Sequence, residues 1–386
     1  MSSPTSNTVS IFAPLKLGPL TLKNRVGVAA MTRNRSVPTT VPNSINVEHY
    51  RQRAAGGAGL IITEAILIER QGTEWQHAPG IWSKEHVEGW KKVTQAVHAE
   101  GGLIYGQLWH TGRVSHPDAP EQIKAGKPVY APSAIRARGG KFRFIEGVPG
   151  YATPTAIEDP ATFIPIWKQA AVNAKEAGFD GVQVHGSNGY LVHQFLDSSS
   201  NQRTDQWGGS IQNRARFGLE VLKALIDVWG AERVAIKLSP GNGYNDMGMP
   251  LEETLETYSY FITEADKLRL AFIELVRYTE FGDPVIDGTR RGTPHDVIGS
   301  YAPLIKRSAK FGNAGYSSEE AAQAVARGEL DGVFFGMLSI SNPDLARRFE
   351  HGKEVNTNLD MVNLYGNGES LEELEKGYND YPIAVY

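Results

Sequence analysis

The chain has 386 residues, 41% of them hydrophobic, and a formal net charge of −4. That length exceeds the usual single domain but suits a closed α/β barrel. The mild charge and the lack of any dense Lys/Arg run argue against nucleic acid or an acidic membrane as partner.

With no cysteine in the chain, disulfides, thiolate nucleophiles, Fe–S clusters and cysteine-ligated zinc are excluded. The first ten residues, MSSPTSNTVS, lack the apolar core of a secretory signal. No apolar run approaches the ~20 residues needed to span a bilayer. The C-terminal AVY is not a peroxisomal address. The expectation is a cytoplasmic protein.

In chain order, IFAPLKLGPLTLKN reads as a β-hairpin able to cap a barrel floor. Strands follow at Arg25–Met31, Leu60–Ala65, Leu103–Trp109, Gly181–Gly186, Val234–Ser239, Ala271–Arg277, Lys310–Gly315 and Gly332–Met337. They are rich in Val, Ile, Leu and Phe and mostly do not alternate with polar residues. That pattern suits parallel strands buried on both faces.

Amphipathic segments separate most of them. From Asp159 a helix opens on an Asp cap and a proline and closes on a glycine. Its Phe163, Trp167, Ala170, Ala174 and Ala177 form one apolar stripe. Further helices are read from Asn213, Ser318 and Asn342. The stretch from His110 to Ile157 is long, rich in Pro and Gly, and carries Arg136, Arg138, Lys141 and Arg143. A loop of that length in a compact domain is usually functional or mobile.

Eight strands in this alternation predict a (β/α)8 TIM barrel, a single domain over 1–386, with an N-terminal β-hairpin cap and a long loop after strand three. A doubly wound open sheet is the other candidate. Against it, no GxGxxG opens a helix after the first strand.

Barrel chemistry lies at the C-terminal strand ends. There the chain places Thr32 and Arg33, Glu64 and Ala65, then Gln107, Trp109 and His110. Next come His185, Asn188 and Tyr190, Lys237 with Ser239, Asn313-Ala314-Gly315, and finally Gly336-Met337. Such a mouth suits a flat, polar-edged ring, and the Gly-rich end of strand seven suits a phosphate held by backbone N–H groups. Each feature also has a plain structural reading: Asn188-Gly189 as a turn, His185 as a strand-end histidine, Gln107 on a loop carbonyl. Lys237 is harder to explain that way, since Ile236 and Leu238 flank its charge.

Six stretches in order carry a resemblance: MTRNR at Met31, QLWHTGRVSHP at Gln107, VHGSNGYLVHQFLD at Val184, NQRTDQWGGSIQNRARF at Asn201, KLSP at Lys237 and ISNPDLARR at Ile340. Together they make nearly the whole chain resemble the Old Yellow Enzyme family of flavin-dependent ene-reductases, of fungal type. The resemblance implies noncovalent FMN across the mouth, NADPH or NADH as hydride donor, and an activated-alkene substrate such as an α,β-unsaturated carbonyl compound or a nitroalkene. It implies that His185 and Asn188 donate to the substrate carbonyl oxygen and that Tyr190 protonates the α-carbon. Ala30, Met31, Thr32, Ala65, Gln107 and Lys237 would contact the ring system. Asn313, Ala314, Gly315, Gly336 and Met337 would hold the phosphate, and Trp109 and Tyr365 would line the substrate side.

The chain departs from the family pattern at Ala30, where proline is usual, and at Lys237, where arginine is usual. It also departs in VRYTEFGDPVIDG at strand six and at Met337, where arginine usually clamps the phosphate. Lys310 and Arg307 are then candidate replacement cations. Two readings of other classes remain: a Schiff-base lyase of aldolase type using Lys237, and a non-catalytic flavin-binding barrel. The physiological alkene, the choice between NADPH and NADH, and whether the protein is a monomer or homodimer are not legible in the sequence.

Overall fold

The computed structural model of the protein describes residues 9–386 apart from 143, 146, 148, 149 and 369. Strands and helices alternate along the chain: β1 (Val26–Val28), α1 (Ser44–Ala55), β2 (Leu60–Ile62), α2 (Lys84–Ala99), β3 (Ile104–Trp109), α3 (Ile164–Glu176), β4 (Gly181–Gly186) and α4 (Ile211–Trp229). The second half continues with β5 (Val234–Leu238), α5 (Leu251–Lys267), β6 (Phe272–Val276), α6 (Val297–Tyr301), β7 (Ala309–Asn313), α7 (Ser318–Ala326), β8 (Gly332–Phe335) and α8 (Leu345–Glu350). Each strand pairs in parallel with the next, and β8 pairs with β1 through Val333↔Val26, which closes the cylinder. This is the (β/α)8 barrel expected from the strand pattern.

The antiparallel hairpin Leu15–Leu17/Leu20–Leu22 precedes the barrel. Its Leu17 and Leu22 share one apolar cluster with the inward-facing Tyr105, Phe272, Phe311 and Phe334. The hairpin therefore plugs the floor, and the aromatic rings above it fill the barrel bottom. Gly27 makes room for this packing, because a Cβ there would meet the Phe334 ring at 2.3 Å.

Outside the strands, Phe163, Trp167, Ala170, Ala174 and Ala177 are all buried, as their spacing predicts. Asp159 caps this segment by accepting from the Ala161 N–H at 3.0 Å. Apolar burial of this kind stabilises at about 25 cal/mol per Å².

The strands end sooner than expected, and the reasons are local. After Ala29, which still donates to the Phe335 carbonyl, the chain turns along the rim. There the Arg33 and Asn34 N–H groups donate to the buried Glu64 carboxylate at 3.0 and 3.3 Å. β2 stops at Ile62, and Ile66–Leu67 forms a separate short pairing with β3. β8 stops at Phe335, because a short helix, Met337–Ser341, begins immediately after Gly336.

Candidate active site

Register brings the polar side chains of the mouth together. His185 on β4, Lys237 on β5 and Glu274 on β6 lie directly opposite one another on adjacent strands. Gln107 on β3 lies opposite Gln183 on β4. Their side chains form one buried network. Gln107 Nε2 donates to Gln183 Oε1 at 2.8 Å, and Gln183 Nε2 donates to Glu274 Oε2 at 2.6 Å. Asn313 Nδ2 donates to Glu274 Oε1 at 2.5 Å, and Lys237 Nζ stands 3.4 Å from that same oxygen. Lys237 thus holds its charge inside the barrel mouth, with a carboxylate beside it.

His185 is buried, and its Nδ1 accepts from the Ser187 N–H at 3.4 Å and lies 3.1 Å from the Ser187 hydroxyl. Burial first, then the charge of Lys237 and the neighbouring His193, hold the imidazole well below its ordinary range. A neutral ring accepting at Nδ1 carries its proton on Nε2, so the ring's far edge is a hydrogen-bond donor.

Asn188 adopts a left-handed backbone (φ 55°). Its N–H donates to Ser239 Oγ at 2.9 Å, and its carbonyl accepts from Asn245 Nδ2 at 2.8 Å. The Ser of KLSP therefore holds the Asn188 turn. Both backbone groups are satisfied, so the side-chain amide need not fold back to cap them.

Tyr190 is 4% exposed and stands edge-on to His185 (4.7 Å between ring centroids) and to Trp109 (4.9 Å). Burial pushes its phenol well above the ordinary range, with Tyr244, Glu74 and Tyr365 adding to the rise. The hydroxyl is therefore protonated at neutral pH. Trp109 Nε1 is buried without a hydrogen-bond partner.

The loop after β3 folds over this side of the mouth. Ala137, Phe142 and Tyr151 from the loop join Trp109, Tyr190, Ala65 and Leu67 in one apolar cluster, with Trp75 packed against it. Tyr151 Oη donates to Asn245 Oδ1 at 2.7 Å, and Arg138 pairs with Asp246 at 2.9 Å. Arg138 is thus consumed in fastening the loop, Arg136 is exposed, and Arg143 lies outside the described residues. The wall residues Trp75, Tyr151, Tyr244 and Asn245 were not singled out from the sequence. The length of the loop after strand three pointed to Tyr151 alone; Trp75, Tyr244 and Asn245 lie outside it and carried no signal of their own.

On the opposite rim, Met31 and Thr32 are half-buried, while Arg33 and Arg35 turn away from the mouth. Arg33 Nε donates to the Leu364 carbonyl at 3.1 Å and Arg35 Nε to the Leu374 carbonyl at 2.6 Å. Asn34 Nδ2 donates to the Tyr365 carbonyl at 2.8 Å. Within MTRNR, Arg33, Asn34 and Arg35 dock the C-terminal segment that brings Tyr365 beside Trp75, 5.4 Å between rings.

The ends of β7 and β8 form the third side. Asn313 is buried, Gly315 is exposed, and Met337 is 43% exposed. A Cβ on Gly336 would meet only Met31, with Sδ at 3.3 Å. Ala314 holds a left-handed backbone (φ 76°) that a non-glycine residue rarely adopts. Of the cations expected to replace an arginine at Met337, Lys310 and Arg307 are at the wrong end. Lys310 is three residues below the top of β7, about 10 Å at strand rise, and its Nζ donates to the Gly328 carbonyl at 2.7 Å. Arg307 precedes the strand altogether. Arg277, just past β6, is the cation at the correct height. Its Nη2 lies 3.6 Å from where a Gly315 Cβ would be, its Nε donates to the Ala314 carbonyl at 2.9 Å, and it stacks on Tyr316 at 3.6 Å.

These features fit FMN. Gln107, Lys237 and Asn313 supply a polar edge, the bare Cα atoms of Gly336 and Gly315 leave room at the strand ends, and Trp109 has an unused donor. A groove of about 810 Å³ opens elsewhere, outside β7 between α6 and α7. It touches the rim only near Arg277 and Tyr316, and none of the mouth's converging groups lines it. Among the described residues there is no cluster of His, Asp or Glu able to hold a metal ion and no helix long and apolar enough to cross a membrane.

The family model of the NADH:flavin oxidoreductase / NADH oxidase family matches residues 10–356. The chain is 39% identical, over 99% of its own length and 100% of the relative's, to a "Probable flavin mononucleotide-dependent alkene reductase" of Leishmania infantum. Among solved structures it resembles morphinone reductase, with 37% identity, TM-score 0.85 and 98% of each chain covered. It also resembles the Old Yellow Enzyme homologue of Zymomonas mobilis, with 34% identity and TM-score 0.86 over 97% of this chain and 100% of that one. The chain therefore belongs to the NADH:flavin oxidoreductase family of Old Yellow Enzyme type, and is an FMN-containing, NAD(P)H-dependent oxidoreductase.

Proposed function

We propose that this protein is an ene-reductase acting on α,β-unsaturated carbonyl compounds and nitroalkenes. The observation that carries the reading is the grouping of a neutral, Nε2-protonated His185, Asn188 and a protonated Tyr190 on one side of a mouth floored by Gln107 and Lys237. FMN, when bound, supplies the redox chemistry, passing hydride from NAD(P)H to the β-carbon of the alkene.

His185 Nε2–H and the Asn188 amide donate to the substrate's carbonyl or nitro oxygen. Negative charge grows there as the alkene is reduced, and fixed donors in a water-poor site favour that state. Tyr190 then gives its phenolic proton to the α-carbon; a group of ordinary pKa ~10, raised further by burial, is an acid and not a base at neutral pH. Trp109 and Tyr365 wall the substrate side.

Thr32, Gln107 and Lys237 take the polar edge of the ring system, and Ala30, Met31 and Ala65 pack against it. The backbone of Asn313, Ala314, Gly315, Gly336 and Met337, with Arg277 beside them, takes the phosphate. We read residues 1–386 as one such unit, acting in the cytoplasm.

The test is the visible spectrum of the purified protein before and after anaerobic NADPH, and again after cyclohexenone. Flavin absorbance that bleaches with NADPH and returns with the enone is expected. Colourless protein that borohydride traps with a carbonyl compound would instead make Lys237 a Schiff-base lysine. Flavin that NADPH bleaches but no activated alkene restores would refute the ene-reductase reading.

A further inference from the structure

Glu274 is fully buried at the centre of the mouth network, and nothing in the chemistry above requires a carboxylate there. Its surroundings explain what it does. A carboxylate offers only acceptors, so the amide facing it must turn its NH2 inward. Gln183 obeys, donating through Nε2 at 2.6 Å. Its Oε1 is then committed to face Gln107, which must donate in turn, at 2.8 Å. Among the described residues no donor is seen on Gln107 Oε1, which leaves it as an acceptor at the mouth. The same carboxylate takes the Asn313 NH2 at 2.5 Å and stands 3.4 Å from Lys237 Nζ. One acidic group thus sets the polarity of two strand-borne amides in series, turns a third, and partners the buried Lys237.

We propose that Glu274 is a positioning residue that fixes the hydrogen-bond polarity of the flavin-binding mouth through Gln183 and Gln107, and tunes the bound flavin's reduction potential by offsetting Lys237. The proposal rests on the FMN reading above. A lone cation beside the ring would favour the reduced, more negative flavin; a cation paired with a carboxylate favours it less. The Gln183 relay acts on binding, because a reversed Gln107 amide would present N–H where an acceptor is needed.

The two roles separate experimentally. Glu274→Gln removes the charge and, through its new NH2, permits the reversed relay. At fixed potential the ratio of reduced to oxidised bound flavin should rise on the order of ten-fold, which is a positive shift of about 30 mV for a two-electron couple. The FMN dissociation constant should rise as well. Gln183→Leu breaks the relay but leaves the Glu274–Lys237 pair in place. It should weaken FMN binding several-fold with the potential unchanged, so the proposal stays open to refutation even where Glu274→Gln does not fold.

Potential is measured by equilibration with a reference dye, and affinity by quenching of free FMN fluorescence on titration into apoprotein. A merely structural Glu274 would alter melting and leave the potential of bound flavin alone. An unmoved or more negative potential in Glu274→Gln overturns the electrostatic role. Wild-type FMN affinity in Gln183→Leu overturns the relay. Wild-type protein that takes up no FMN would overturn the reading of the site itself, a result distinct from both.

Discussion

Replacing Tyr190 with Phe should separate the two halves of the catalytic cycle. The substitution removes one hydroxyl and keeps the ring, so the edge-on contacts to His185 at 4.7 Å and Trp109 at 4.9 Å persist. Asn245, whose side chain also meets the Tyr190 hydroxyl, retains Tyr151 at 2.7 Å and the Asn188 carbonyl at 2.8 Å. The folding cost is therefore that of one ordinary hydrogen bond, ~1 kcal/mol, too small to unfold the barrel. Loss of a general acid typically costs ~10²–10⁴-fold in rate, or ~3–5 kcal/mol in barrier. Rapid mixing with NADPH reports the first half-reaction as bleaching of flavin absorbance, and this should be nearly normal, since it needs no proton from residue 190. Mixing reduced enzyme with cyclohexenone reports the second, which should slow by that factor. Nitroalkenes should suffer less, because a nitronate can leave and be protonated by water. Equal slowing of both halves, or unimpaired reoxidation by cyclohexenone, would remove Tyr190 as the proton donor.

Replacing both His185 and Asn188 with Ala should weaken phenol binding and slow enone reduction while FMN stays bound. Each lost oxyanion donor is worth ~3 kcal/mol, and a wild-type rate would refute the assignment. Met337→Arg should tighten FMN binding about ten-fold by adding a charge-assisted partner for the phosphate, and Arg277→Gln should weaken it. Fluorescence titration of apoprotein with FMN checks both, and unchanged affinity in Arg277→Gln would remove that arginine from the phosphate site. Stability should fall as pH drops below about 6.5. His49, His86, His185 and His193 are all held below the ordinary range chiefly by burial, His86 and His193 to about 4. The unfolded chain then binds the extra protons, so each histidine costs about 1.4 kcal/mol per pH unit between its unfolded and folded values. A melting temperature that is flat from pH 7 to pH 4.5 would refute this.

The barrel was legible in the sequence because its determinants are local. Continuous apolar runs such as Gly332–Met337, the cap at Asp159 and the stripe from Phe163 to Ala177 each state their own structure without reference to distant residues. So did the grouping of His185, Asn188 and Tyr190, which one strand end and one turn deliver together. Strand ends were less legible, since whether Ala30 or Gly336 continues a ladder depends on what the rim offers in its place: the Glu64 carboxylate in one case, a short helix in the other. The tertiary structure alone decided which side chains meet across strands. Glu274 reads in the sequence as one acidic residue in an apolar strand, 37 positions from Lys237 and 91 from Gln183; only closure of the cylinder, with its fixed register, sets them side by side. The same holds for the rim proposed to take the phosphate. Lys310 and Arg307 are near Met337 in the chain, yet a strand rises about 3.3 Å per residue, which puts them too far below the rim. Arg277, more distant in sequence, arrives at the right height because β6 runs parallel to β7 and ends beside it.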